Sequence, residues 1–337
     1  MEMGLAFALS LAAAAALQPA PFTQPAVQPA PPASLTEPPA SLTPAADLLG
    51  FGDADERMTV PVTIGAGGPY HFIVDTGAQR TVISRELAGT LRLAPGPDVH
   101  LTSMSGQGMV NTFVIPAISV GALGGTRIEA PALETRNLGA PGLLGLDTLQ
   151  GHMVTIDFER QQMTVTPSEV RRRAAPAATD EVIVHARSMF GQLVVTDAYY
   201  RGRRIQVIVD TGSVVSMGNL ALRRMVARST KHMQSISLLG VTGDVLVADY
   251  TQISEIKVAG INFNNLPVAF ADAEPFKRFE LIKRPALMLG MDAMKLFKRV
   301  QIDFPNRTLR LSLPSGAGQS DAPVPVNFGS QVSRLNQ

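Results

Sequence analysis

The chain has 337 residues, 45% of them hydrophobic and 17% charged, with a formal net charge of +1. That length accommodates two domains with tails, and the near-neutral balance argues against bulk nucleic-acid binding. The absence of Cys rules out disulfides, thiol nucleophiles and thiolate metal sites, and the absence of Trp with only four Tyr leaves an aliphatic, methionine-filled core.

In chain order, residues 4–17 form an unbroken apolar, Ala-rich run, the length of a signal-peptide core and short for a bilayer span, although Glu2 stands where a basic flank is usual. Residues 1–17 are therefore read as a signal peptide, with export to a bacterial periplasm or the medium as the expectation. Without Cys, a lipoprotein's lipid anchor is excluded. Residues 18–46 hold nine prolines among Ala, Gln, Ser and Thr and read as a disordered linker. A first lobe at 55–166 shows strands at 59–64, 71–74, 111–120 and 154–165, a helix over 84–91 and a helical turn at 147–150. A linker at 167–180 follows, with Arg171-Arg172-Arg173 as the natural nicking point. The second lobe, 181–314, shows strands at 193–198, 205–209, 245–258 and 300–313, a helix over 219–228 capped by Asn219, and a turn of helix at 292–298. Residues 315–337 read as a disordered tail. The fold class expected is all-β with a few short helices.

The first lobe has 7 Lys/Arg against 10 Asp/Glu, and the second 18 against 11. Solvated surface is the plainer account of this asymmetry. Acidic substrates, or a transient contact with an anionic membrane surface, form the sharper one. The five His show no metal-ligand spacing, and no serine sits in a Gly-x-Ser-x-Gly elbow. Neither metal nor cofactor is expected.

The tripeptide Asp-Thr-Gly occurs twice, as Asp75-Thr76-Gly77 after Phe72-Ile73-Val74 and as Asp210-Thr211-Gly212 after Val207-Ile208-Val209. About seventy residues after the first come Leu143-Leu144-Gly145-Leu146-Asp147 and then Ile156-Asp157-Phe158; about eighty after the second come Met288-Leu289-Gly290-Met291-Asp292 and then Ile302-Asp303-Phe304. One order of segments repeated in two halves indicates a duplicated fold unit. Two carboxylates brought face to face can share one proton, which equips one as base and the other as acid.

This pattern resembles the retropepsin-like aspartic proteases, whose units carry Asp-Thr-Gly-Ala and a later apolar-apolar-Gly-Arg-Asp/Asn segment. The resemblance spans residues 57–314 and implies two tandem β-barrel lobes with the active site between them, as in two-lobed bacterial relatives and, more distantly, pepsin. Asp75-Thr76-Gly77-Ala78 is similar to the retroviral form and Asp210-Thr211-Gly212-Ser213 to the pepsin form. The family's Arg is Leu146 in one half and Met291 in the other, so the ion pair it makes in retroviral dimers is absent.

Carried over residue by residue, the resemblance implies Asp75 and Asp210 as the catalytic pair. Gly77 and Gly212 then stand where the two loops approach, and the hydroxyls of Thr76 and Thr211 brace them. The glycine-rich segments 104–109 and 240–244 lie where the family has its flap, which makes Ser105, Gly106, Gln107, Gly108, Thr242 and Gly243 candidates for substrate contact, with glycines supplying turn conformations. Ser213 is expected to offer one carboxylate a hydroxyl that Ala78 withholds from the other, and the pH optimum to lie between mildly acidic and near neutral. An aspartic endopeptidase acting on peptides or proteins is the function implied. Two alternatives stay open: a peptide-binding protein of this fold without catalysis, and, instead of a monomer with pseudo-twofold lobes, a homodimer whose lobes pair between chains.

Overall fold

The computed structural model describes residues 59–314 apart from 121–124, 171–175, 179 and 229–232, together with the strand Pro325–Asn327. The segments read as a signal peptide (1–17) and as a disordered linker (18–46), Arg171-Arg172-Arg173 and the rest of the tail lie outside the described residues. No helix among the described residues is long and apolar enough to cross a membrane.

The first lobe is a seven-stranded sheet that curls until its first strand, Thr59–Ile64, also pairs with the long strand Gln107–Val120. Strict alternation buries Val60, Val62 and Ile64 on one face of that first strand. The end of Gly67–Val74 is covered on both faces, so Phe72, Ile73 and Val74 are all buried. Ile73 and Val74 pair in parallel with Leu143 and Leu144. This pairing sets the Asp-Thr-Gly loop beside the Leu-Leu-Gly turn.

The second lobe repeats the arrangement. Its strands Gln234–Leu239, Val245–Ile253, Leu266–Phe270, Met217–Gly218, Ala286–Leu289, Arg203–Val209 and Gln192–Tyr200 follow in the same spatial order as their first-lobe counterparts, and Val209 pairs in parallel with Leu289. Three further strands extend this sheet beyond Gln192–Tyr200. The last of them is Pro325–Asn327, which pairs in parallel with Ile261–Asn264 from inside the segment read as a disordered tail. That pairing occupies backbone groups that the sheet edge would otherwise present to water.

Three stretches expected as single strands are broken in two. Residues 154–165 form the hairpin His152–Asp157 and Gln162–Pro167, and 300–313 form Arg299–Asp303 and Thr308–Ser312. The Asp of each Ile-Asp-Phe segment makes the turn: Asp157 Oδ1 accepts the Arg160 amide at 2.9 Å, and Asp303 Oδ1 accepts the Asn306 amide at 3.2 Å. Residues 245–258 break at Ser254-Glu255, where Glu255 takes φ +63°. Both longer helices are capped from the side chain expected or its neighbour. Ser84 Oγ accepts from the Leu87 amide at the start of Arg85–Thr90, and Asn219 Oδ1 from the Leu222 amide at the start of Leu220–Val226.

A third sheet of five strands joins the halves. It takes His152–Asp157 and Gln162–Pro167 from the first, and Glu181–His185, Arg299–Asp303 and Thr308–Ser312 from the second. Val154 and Ile156 stand opposite Ile302 and Val300. All four are buried in one cluster that continues into both barrels.

Candidate active site

The two Asp-Thr-Gly loops meet at the centre of the molecule. Each Asp amide is anchored on the neighbouring Leu-Gly turn: Asp75 N donates to Leu144 O at 3.0 Å and Asp210 N to Leu289 O at 3.1 Å. The threonines then grip reciprocally. Thr76 N donates to Thr211 Oγ1 at 3.1 Å and Thr211 N to Thr76 Oγ1 at 3.0 Å. Their hydroxyls reach across to the opposite strand, Thr76 to Val209 O at 3.1 Å and Thr211 to Val74 O at 2.7 Å. Four buried bonds therefore cross between the lobes at this one point.

Asp75 and Asp210 are both fully buried. Asp75 Oδ1 accepts from the amides of Gly77 at 2.8 Å and Ala78 at 2.9 Å, and Asp210 Oδ1 from that of Gly212 at 3.0 Å. The carboxylates lie against each other. Burial first, and the Asp75 charge second, hold the Asp210 carboxyl well above the usual carboxylate range. One shared proton is the arrangement this geometry favours. Gly212 is the residue on which the approach depends, because a Cβ there would collide with the Asp75 carboxylate.

A second ring of contacts holds the loops from outside. Thr81 donates through its amide and hydroxyl to Asp147 Oδ1, at 2.8 and 2.7 Å. Six residues after the other Asp, Ser216 does the same to Asp292, at 2.8 and 2.6 Å. Gly145 and Gly290 receive those loops, and a Cβ on Gly290 would stand 2.9 Å from Ser213 O. Burial pushes the Asp292 carboxyl up to about 6, and burial with the Asp292 charge pushes the Tyr250 phenol up to about 12. Burial likewise raises Asp147, against the Thr81 bonds. Leu146 and Met291, where the family's Arg stands, are buried apolar groups in the common core, so packing takes the place of the ion pair.

The flap segments also meet, and each crosses to the other lobe. The first tip turns at Ser103–Gly106, where the Ser103 amide donates to Gly106 O at 2.8 Å; Gln107 and Gly108 already belong to the strand and pair with Thr102 and Leu101. Thr242 Oγ1 reaches Ser103 Oγ at 3.2 Å, and Ser105 Oγ lies 3.1 Å from Ser103 Oγ. Met104 is buried in a second-lobe cluster with Val214, Val215 and Ile208, while Val241 is buried in a first-lobe cluster with Leu101, Val110 and Leu143. Gly243 takes φ +88° as a turn glycine should, but Gly106 and Gly108 do not take positive φ, and a Cβ on either meets open space. Their glycines are therefore not required by the turn, contrary to expectation. A cavity of about 230 Å³ lies beside the tips, bounded by Ser103, Gly106, Gln107, Gly108, Thr242 and Glu134 among others, and neither carboxylate is on its wall.

Ser213 also differs from expectation. Its hydroxyl donates to Val215 O at 2.7 Å, and it is the Ser213 backbone that bonds Asp210. Sequence reasoning missed Thr81 and Ser216, whose shared position six residues after each Asp was available as a clue. It missed Gln192 too. That residue is fully buried and donates from Nε2 to the Gly77 carbonyl, while Gln79 Nε2 donates to Phe190 O at 3.1 Å. A lone Gln at the start of a strand carries no motif.

No group of three or more His, Asp or Glu among the described residues could hold a metal ion. Residues 60–151 match the family profile described as "gag-polyprotein putative aspartyl protease", and residues 196–293 match one described as "Aspartyl protease". No curated protein matches the chain.

Proposed function

The chain belongs to the retropepsin-like aspartyl protease family, with two tandem domains, and we propose that it is an endopeptidase whose catalytic pair is Asp75 and Asp210. The observation that carries this reading is the pair of buried carboxylates in direct contact, 135 positions apart, held by reciprocal threonine bonds. The ionised member takes a proton from a water set between the carboxylates, and the water oxygen bonds to the peptide carbonyl carbon. The protonated member donates to the developing oxyanion. Collapse of that intermediate breaks the C–N bond, and a carboxyl proton goes to the leaving nitrogen. Every proton in this sequence comes from water or the dyad.

Peptide reaches the dyad only when the flap tips part, since both carboxylates are sealed while Met104 and Val241 sit in the opposite lobes. Export is part of the proposal and rests on residues 4–17 alone; the mature N-terminus in fractionated cells checks it. The purified chain, incubated with a diverse peptide library from pH 3 to 8 beside Asp75→Asn and Asp210→Asn, tests the activity. Internal cleavage by the wild type and by neither variant is expected. A folded wild type that binds peptides but cuts none would replace this reading with a non-catalytic peptide-binding protein.

A further inference from the structure

On the reading of Asp75 and Asp210 as the catalytic pair, we propose that Gln192 is a positioning residue that breaks the symmetry of the dyad, holding the negative charge on Asp75 and leaving the shared proton on Asp210. The link runs through one peptide group. The carbonyl of Gly77 accepts from Gln192 Nε2, and the N–H of the same peptide unit, on Ala78, donates to Asp75 Oδ1 at 2.9 Å. Donation into an amide carbonyl polarises the group and makes its N–H a stronger donor. A stronger donor favours the ionised form of the carboxylate that accepts from it. Gln192 therefore acts on Asp75 from the opposite lobe without touching it.

The orientation of the side-chain amide follows from the partner, since a carbonyl only accepts. Gln192 Oε1 is left buried with no hydrogen-bond partner in the structure. An apolar side chain of similar size would not incur that cost, so the use of the amide here lies in its donor. The hairpin carrying Gln192 is fixed to the first lobe at two more points. Gln79 Nε2 holds Phe190 O, and Gly191, at φ +87°, packs so closely that a Cβ would stand 3.0 Å from Leu146 Cδ1.

Among the described residues, the second loop lacks this support. Asp210 accepts from the Gly212 amide and the Ser213 backbone, much as Asp75 accepts from Gly77 and Ala78, but among the described residues no side chain donates to the Gly212 carbonyl. The other charged groups nearby do not supply the difference. Asp147 and Asp292 are held by Thr81 and Ser216, with Tyr250 and Lys295 close to Asp292. The Arg80 guanidinium donates to the Glu129 carbonyl, the flap tips bring the uncharged Met104 and Val241, and Asp244 at the second tip accepts from the Thr242 hydroxyl.

Carbon-13 NMR of the chain labelled at aspartate carboxyls tests this without relying on cleavage, with the two resonances assigned through Asp75→Asn and Asp210→Asn. In the wild type, the lower-pH step of the pair should appear mainly on the Asp75 carbon. In Gln192→Met the two carbons should titrate alike, and the acid limb of kcat/KM should move up by about one pH unit, a tenfold loss of rate at a fixed pH on that limb. Wild-type carbons that share both steps equally would overturn the proposal, whether or not the variant folds. So would a Gln192→Met protein slowed by one factor at every pH with the limb unmoved, which is the behaviour of a purely structural role. If the wild type cleaves no peptide while its carbons titrate apart, the protease reading fails and the assignment of charge stands.

Discussion

Two carboxylates buried against each other strain the chain whenever both are ionised, and this sets the behaviour of substitutions at the site. Asp210→Asn should abolish cleavage yet raise the melting temperature at pH 7, because it removes a buried carboxyl that the folded chain holds protonated far above its unfolded range; a calorimetric scan beside an activity assay checks both. Thr76→Ala deletes a donor to Val209 O and the acceptor of the Thr211 amide, both buried, and should cost about 2–4 kcal/mol in denaturant unfolding, with Thr76→Ser retaining most of it. At this scale the Asp-Thr-Gly residues were legible because each stands twice in the same context. Thr81, Ser216 and Gln192 were not, since a hydroxyl or amide acquires its meaning only from the distant carboxylate or carbonyl that the fold brings to it.

On the proposed function, the flap hairpins are the elements on which access to Asp75 and Asp210 depends. Each buries its apolar tip residue in the other lobe, so closure is a mutual exchange of Met104 and Val241 with a polar contact between Ser103 and Thr242 at the seam. Because the chain has no Cys of its own, the pair Ser103→Cys with Thr242→Cys offers a clean lock. Oxidation should eliminate peptide cleavage and reduction should restore it, as read in one fluorogenic assay under both conditions; full activity in the verified disulfide form would show that substrate enters another way. The glycine-rich composition of these segments marked them as turns. It concealed that a Met and a Val within them are core residues of the opposite lobe. The Ile-Asp-Phe segments misled in the reverse sense, because apolar periodicity runs straight through a turn that one Asp side chain makes by accepting a local amide.

For the whole molecule, duplication explains both the symmetry and the way the halves are joined. The repeated strand order was readable as two units, but the five-stranded sheet shared between them was not, because nothing in either Ile-Asp-Phe segment says that its partner is the other copy. The buried acids give the molecule a pH dependence of definite sign. Asp292 is raised from 3.8 to about 6 in the folded chain, so the folded state binds the proton more tightly than the unfolded one. Its contribution is fully present below about pH 4 and is lost as pH rises through about 6, a change of about 3 kcal/mol. Asp210 and Asp147 act in the same direction. Melting temperature should therefore fall from mildly acidic pH towards neutrality, and Asp292→Asn should flatten that fall. The central claim is that one chain completes the dyad by itself, and mixing two inactive chains tests it most directly. Asp75→Asn and Asp210→Asn proteins, each purified, are combined, refolded together and assayed on a peptide that the wild type cleaves. No activity, alone or mixed, is the result predicted for two lobes paired within one chain. Recovery of activity in the mixture would place the two aspartates on different chains, and activity in either variant alone would remove that residue from the catalytic pair.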